Sequence, residues 1–238
     1  MPLRSTLINQ LFLPKSFSRR KQGYDSEADF ICPQGFGRNT YSDKRVVAIV
    51  GTARENFGND IATFEWLRSK GFDPGRPNRR LANHCITLTR PIPPFFDDAG
   101  VVQEYPLVYP VIGQWEVLYA MWAYEPDWYM KHRDEFTAIW PWPSPEDSLS
   151  THGMLRIAKD IAEGHGLHTP LIVAHPEHIQ RCFFIAQKMF GKLVSTNNNE
   201  TASEWFDRRS VQRWTRGPKV WLLYEMLARL HHRLHGWM

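Results

Sequence analysis

Three polar side chains, His175, His178 and Arg181, crowd around one predicted turn in the stretch Thr169 to Gly191. The stretch opens with Leu171-Ile172-Val173-Ala174, whose length and β-branched content suit a buried strand. Pro176 suits the first position of a helix, and Glu177 suits its positive end. Ile179, Phe183, Ala186 and Met189/Phe190 then recur at helical spacing until Gly191. The free amides and dipole of a helix N-terminus favour an anion and lower the pKa of a nearby imidazole. Arg181, one helical turn beyond His178, reaches the same anion. The chemistry predicted is therefore phosphate or carboxylate binding with acid–base work at His178. The plainer alternative is a packed or capping His178, with Arg181 paired to a carboxylate. The spacing of His175 and His178 matches no strong metal-ligand pattern, so no metal is expected.

Other candidate groups sit at the ends of other predicted strands. Gly113 closes one strand, and Glu116 follows in the first turn of a helix. Glu116 is either a general base or a first-turn acid serving the helix dipole. Glu146, Ser150 and Thr151 stand before another helix, where capping explains part of their presence. Gly51, Thr52, Arg54 and Glu55 form a long polar loop after the run Val46 to Val50. The glycines of that loop fit neither a dinucleotide fingerprint nor a P-loop. A Gly-x-Ser-x-Gly nucleophile elbow is absent from the chain.

Alternating strands and helices must position these groups. The continuous apolar run Val46 to Val50 suits a parallel strand covered on both faces, and Ile61, Phe64 and Leu67 mark a helix capped by Asn59 or Asp60. Further strands are predicted over Leu107 to Ile112, Phe136 to Trp140 and Lys192 to Thr196. Helices are predicted over Trp115 to Trp122, His152 to Glu163 and Val220 to Leu234. In the last of these, Leu223, Met226/Leu227 and Leu230 are expected to face inward. Residues 1–44 read as a basic lead-in, and 45–238 as a single α/β domain. An irregular insertion at 72–104, with one short strand at Cys85 to Leu88, interrupts it. The fold class expected is a three-layer, Rossmann-like α/β sandwich: a mostly parallel sheet with helices on both faces. Ligands in such sheets bind at the carboxyl ends of the strands.

Composition narrows the class. At 238 residues with 42% hydrophobic and 23% charged, the chain is ordinary for a globular domain. Ten Trp, fourteen Phe and eight Tyr supply flat side chains for a core, or for stacking on a planar ligand. The net charge of +4 hides two basic ends: residues 1–24 lack any acid, and 205–238 set seven Arg and Lys against Asp207 and Glu225. Such ends suit the phosphates of a nucleotide or an RNA, or are solvated surface. Cys32, Cys85 and Cys182 are odd in number and unpaired in spacing, which places the chain in a reducing, cytoplasmic compartment. The most apolar window, Tyr105 to Tyr124, is broken by Pro106, Pro110 and Glu116, so no membrane is expected among the partners.

The order of pieces resembles the YdcF/SanA/ElyC-like family. The resemblance rests on an apolar strand ending in Gly51, a strand ending at Gly113 with Glu116 opening a helix, and Glu146 with Ser150 and Thr151. Val173, His178 and Arg181, and Glu225 in the closing helix, complete it. Two departures stand out: Ala174 and His175 replace the family's usual Thr and small polar residue, and the glycine pair after the second strand is reduced to Gly113. The resemblance implies a Rossmann-like domain with a pocket at the strand ends, suited to an adenosine-containing cofactor such as S-adenosylmethionine. A second resemblance, to the fungal-type arginine-containing cyclodipeptide synthases, rests on size, basic ends and aromatic content. It implies aminoacyl-tRNA as substrate. The expected function is thus metal-independent group transfer on a nucleotide-containing or activated substrate. The alternatives are an aminoacyl-tRNA-dependent cyclodipeptide synthase and a non-catalytic metabolite-binding module.

Overall fold

Five buried residues in a row, Phe30–Gln34, make the strand around which the sheet is built. The computed structural model describes residues 28–37, 59–90, 95–96, 102–103, 109–140, 150–191, 195–197 and 206–237. In chain order the elements are β1 (Phe30–Gln34), α1 (Asp60–Ser69), α2 (Arg76–Thr89), β2 (Phe95–Phe96), β3 (Val102–Gln103), β4 (Val111–Gln114), α3 (Trp115–Tyr124), α4 (Pro126–Lys131) and β5 (Phe136–Ile139). They continue with α5 (Thr151–Gly164), β6 (Pro170–Ala174), α6 (Ile179–Phe190), β7 (Ser195–Asn197) and α7 (Pro218–Leu234). The main sheet runs β5-β4-β1-β6-β7 with every pairing parallel, and β2 and β3 form a separate antiparallel pair. The protein is α/β, as expected.

Strand alternation divides the core in two. Ile31, Val111, Leu171 and Val173 face one layer with Phe64, Leu81, Leu118 and Trp115 of α1, α2 and α3. Phe30, Cys32, Ile172 and Ala174 face the other layer with Leu155 and Ala158 of α5 and Cys182 and Ile185 of α6. All three cysteines are free and buried. Among the described residues no helix is long and apolar enough to cross a membrane.

Several expectations need correction. The lead-in read over 1–44 contains the central strand. Pro33 hid it, because proline cannot donate to a ladder and is rare in central strands. Ile31 N–H donates to Pro110 O on the β4 side, and Pro33 would present the next N–H on that side. The β1–β4 ladder accordingly has one register pair, Ile31↔Val111, while β1 pairs with β6 along five. Gly113 makes room for the proline ring: a Cβ there would lie 2.4 Å from Pro33 Cγ and 2.6 Å from Cδ. Gly113→Ala is therefore expected to cost about 1–3 kcal/mol in chemical denaturation, as overpacking does. A midpoint equal to wild type would mean that the ring simply moves aside.

The stretch read as an irregular insertion holds α2 instead. Its Cys85-Ile86-Thr87-Leu88 looks like strand by propensity. Burial of Leu81, Ala82, Cys85, Ile86 and Thr89 imposes the helical period instead. The expected strand Val46 to Val50 lies outside the described residues.

Helix α7 is turned round relative to expectation. Trp221, Glu225, Arg229 and His232 are buried, while Leu223, Met226, Leu227 and Leu230 are exposed. The polar stripe faces in because it finds partners there. Helix α6 starts at Ile179 rather than at Pro176, since His175 O accepts from the amides of His178 and Ile179 and makes a preceding turn. Helix α1 keeps its expected cap, with Asn59 Oδ1 accepting from Ala62 N at 2.8 Å.

Candidate functional site

Neighbouring strands β1 and β6 send the chain to opposite faces of the sheet, since α1 and α2 follow β1 on one face and α6 follows β6 on the other. Ligands of α/β sheets bind at the carboxyl ends of two such strands, and here that place is filled by the buried side chains of Phe36, His175, His178 and Arg181. Gly35–Gly37 leave β1 at this point, and His175–His178 leave β6. The β1 exit is fastened by Asn78, which is buried in α2. Its Oδ1 accepts from Phe36 N at 2.8 Å, and its Nδ2 donates to Pro74 O at 2.8 Å and also to Gly37 O. Gln114 Oε1, at the end of β4, accepts from Gly35 N. Gly37 has φ 73°, and a Cβ there would lie 2.6 Å from Thr215 Oγ1. Only glycine suits both demands.

His175 is fully buried, its ring stacked on Phe36 at 3.8 Å between centroids. Its Nδ1 accepts from Glu177 N at 3.1 Å, so the neutral ring carries its proton on Nε2. Burial holds its pKa down to about 3. The predicted binding residue is thus buried in the turn after β6 and stacked on Phe36.

His178 is the hub of a polar chain. Its Nδ1 lies 3.1 Å from Arg181 Nη2. A guanidinium only donates, so Nδ1 accepts and the proton sits on Nε2. Nε2–H then donates to Thr151 Oγ1 at 3.3 Å. Burial, and after it the nearby Arg181, keep His178 well below the usual imidazole range. Arg181 Nε lies 3.2 Å from Glu225 Oε2, and Arg229 Nε donates to Glu225 Oε1 at 2.8 Å. Arg181 also lies over the rings of Trp221 and Tyr224, at 5.7 and 5.6 Å. The run Thr151–His178–Arg181–Glu225–Arg229 ties α5, α6 and α7 together.

Two guanidiniums share one carboxylate in this run, and both are buried. Burial pushes the Glu225 carboxyl up, while the two guanidiniums pull it back. Among the described residues Arg229 Nη1, His232 Nδ1, Arg181 Nε and Glu225 Oε2 have no hydrogen-bond partner. Half-buried Glu177 stands near enough to feel Glu225 and Arg229, but burial and the Glu225 charge raise its pKa and weaken it as a counter-ion. The cluster therefore sets, among the described residues, two buried guanidiniums against the single carboxylate of Glu225, a balance that suits an anion.

The remaining predicted residues fall as follows. Ser150 is the α5 cap, accepting from Gly153 N at 2.9 Å. Thr151 opens that helix and is half-buried. Glu116 is buried two residues past the end of β4. Strand β4 lies two strand spacings, about 10 Å, from β6. Gly113 lies inside β4, close against the Pro33 ring. Gly51, Thr52, Arg54, Glu55 and Glu146 lie outside the described residues. Arg181 pairs with a carboxylate, as the plainer alternative had it. Sequence reading missed Phe36, Asn78, Gln114, Trp221, Arg229 and His232. The spacing of Trp221, Glu225, Arg229 and His232 by four, four and three was itself a helical stripe, concealed because three of its members are polar.

Compared with protein-family models, with curated proteins and with solved structures, the chain matches none.

Proposed function

We propose that the chain is a Rossmann-like, three-layer α/β enzyme that transfers a group on a nucleotide-containing or otherwise activated substrate, in the manner its resemblance to the YdcF/SanA/ElyC-like family implies. The observation that carries the reading is the buried pair of guanidiniums on a single carboxylate, joined through His178 to Thr151 at the rim. Thr151 stands at the N-terminus of α5, where backbone amides and the helix dipole favour a phosphate or carboxylate. His178, neutral and with its acceptor nitrogen engaged by Arg181, acts as a positioning residue rather than as a proton donor from a charged state. It fixes the Thr151 hydroxyl, which meets the ligand. Glu116 and Glu146 are the candidates for general base or for binding a substrate amine. An adenosine-containing ligand such as S-adenosylmethionine fits in two respects: Phe206, half-buried beside Phe36, offers an aromatic face, and the cationic excess suits a carboxylate or phosphate. A cytoplasmic location, from the three unpaired cysteines, belongs to the same proposal.

A thermal-shift panel of phosphate, nucleotides, S-adenosylmethionine and aminoacyl analogues tests it. Saturation near 100-fold over Kd contributes about 2.7 kcal/mol, a rise of roughly 5–10 °C for a chain of this size. Thr151→Val leaves the buried His178 Nε2–H without its acceptor, so it is expected to lower the melting temperature by a few degrees while staying folded, and to lose the ligand-induced shift. If no anionic compound moves the melting temperature, or if Thr151→Val responds like wild type, the site is not a ligand site. Product analysis with the binding compound then separates an enzyme from a metabolite sensor.

A further inference from the structure

The outward face of α7 carries a feature that the strand-end cluster does not use. Val220, Leu223, Leu227, Leu230 and Leu234 recur at steps of three and four, and with Met226 they are between 38% and 77% exposed. At 100° per residue they form one stripe, opposite the buried stripe of Trp221, Glu225, Arg229 and His232. The body thus holds the helix by its polar side and presents its leucines outward. A contiguous apolar stripe of this kind marks an interaction surface.

Charge around the stripe identifies what covers it. Across residues 206–237 the acids are Asp207 and Glu225, and both are buried. Arg208, Arg209, Arg213, Arg216, Lys219 and Arg233 are all exposed. Asp207 meets Arg209 at 3.5 Å and also accepts from the backbone amides of Arg209 and Arg76. Lys219 and Arg233 each precede a stripe residue by one position, in a row with Met226, so they flank the leucines along one edge. A second copy of the chain would bring two such cationic rims together with no exposed acid in this region to meet them. A nucleic acid would use the cations and leave the leucines in water.

We infer that α7 is an interfacial amphipathic helix that lies on an anionic phospholipid surface, its leucines in the headgroup–acyl boundary and its Arg and Lys heads at the phosphates. This binding is peripheral, and it is distinct from spanning the bilayer. It also puts Phe36 and His178, which pack against Trp221 on the opposite face of the same helix, toward the membrane side of the molecule.

Co-sedimentation of the full chain with vesicles tests the inference. Wild type is expected to pellet with phosphatidylcholine vesicles containing about 30 mol% phosphatidylglycerol, and at least about tenfold less with phosphatidylcholine alone. Raised salt should weaken the anionic binding. Leu223→Gln/Leu227→Gln/Leu230→Gln changes exposed side chains only. It should keep the wild-type circular dichroism and lose the pelleting, as should Arg213→Gln/Arg216→Gln/Lys219→Gln. Wild type left in the supernatant at low salt overturns the inference, and so does a leucine-to-glutamine variant that pellets as before. Tight binding of bulk tRNA without vesicle binding, or a dimer dissolved by the leucine substitutions, assigns the face to another partner and equally overturns it.

Discussion

Glu225→Gln should destabilise the protein by about 3–5 kcal/mol, the range found when one partner of a buried ion pair is removed. Among the described residues Glu225 is the sole carboxylate paired with both Arg181 and Arg229, at 3.2 and 2.8 Å, and all three side chains are at most 5% exposed. A neutral amide in its place leaves two buried guanidiniums without their paired carboxylate, with only the weakened Glu177 nearby. The loss should appear first at α7, which the cluster fastens to α6. Proteolysis within Arg208 to Arg233 should therefore accelerate before global unfolding is seen. Arg181→Met/Glu225→Met/Arg229→Met removes the charges together and should recover most of the lost stability, because well-packed apolar replacements of a buried ionic group are often neutral or better. Guanidinium chloride midpoints measure both variants. If Glu225→Gln stays within about 1 kcal/mol of wild type, water reaches the cluster and α7 is held by its tryptophan instead.

Acid should unfold the protein over a narrow pH range beginning below about pH 6.5. His175 and His178 are buried as neutral rings, with pKa values about 3 and well below 6.5 respectively. In the unfolded chain both return to ordinary imidazoles. Below pH 6.5 the unfolded state therefore binds protons that the native state refuses, and stability falls as pH falls, by about 1.4 kcal/mol per pH unit for each ring. For His175 the window runs from 6.5 down to about 3, on the order of 5 kcal/mol in all. His232, which burial also lowers to about 3, acts in the same direction. Glu177 and Glu225 are shifted upward and act in the opposite sense, through a window that opens at 4.5 and extends upward. The histidines outnumber them. His175→Asn, whose side-chain oxygen can take the Glu177 amide, should move the acid midpoint to lower pH. Tryptophan fluorescence and far-ultraviolet circular dichroism from pH 7 to 4 read this out. A stability profile flat from pH 7 to 5 would mean that these imidazoles are solvated.

The sequence was most legible where apolar spacing and burial agree. Leu171 to Ala174, the α5 stripe of Leu155 and Ala158 and the Asn59 cap all form as their patterns indicate. It was least legible where one residue's chemistry is excused by a distant one. Pro33 disqualifies a central strand until Gly113, eighty positions on, is seen to leave room for its ring. Leu223, Leu227 and Leu230 argue for an inward face until Arg181 is seen waiting for Glu225 on the other side. At the site, the grouping of His178 with Arg181 and Thr151 followed from strand-end logic. The protonation of those rings did not, because it depends on burial and on which nitrogen Arg181 reaches.

A helix seated on charges responds to temperature differently from one seated on hydrocarbon. Uncovering apolar surface raises heat capacity and uncovering polar surface lowers it. Lifting α7 bares Glu225, Arg229 and His232 along with the Trp221 ring, so the two contributions oppose each other. Its attachment therefore varies gently with temperature, whereas the phenylalanine- and leucine-rich layers follow a steep dome. On cooling, the layers beneath slacken while the charged clasp keeps its grip.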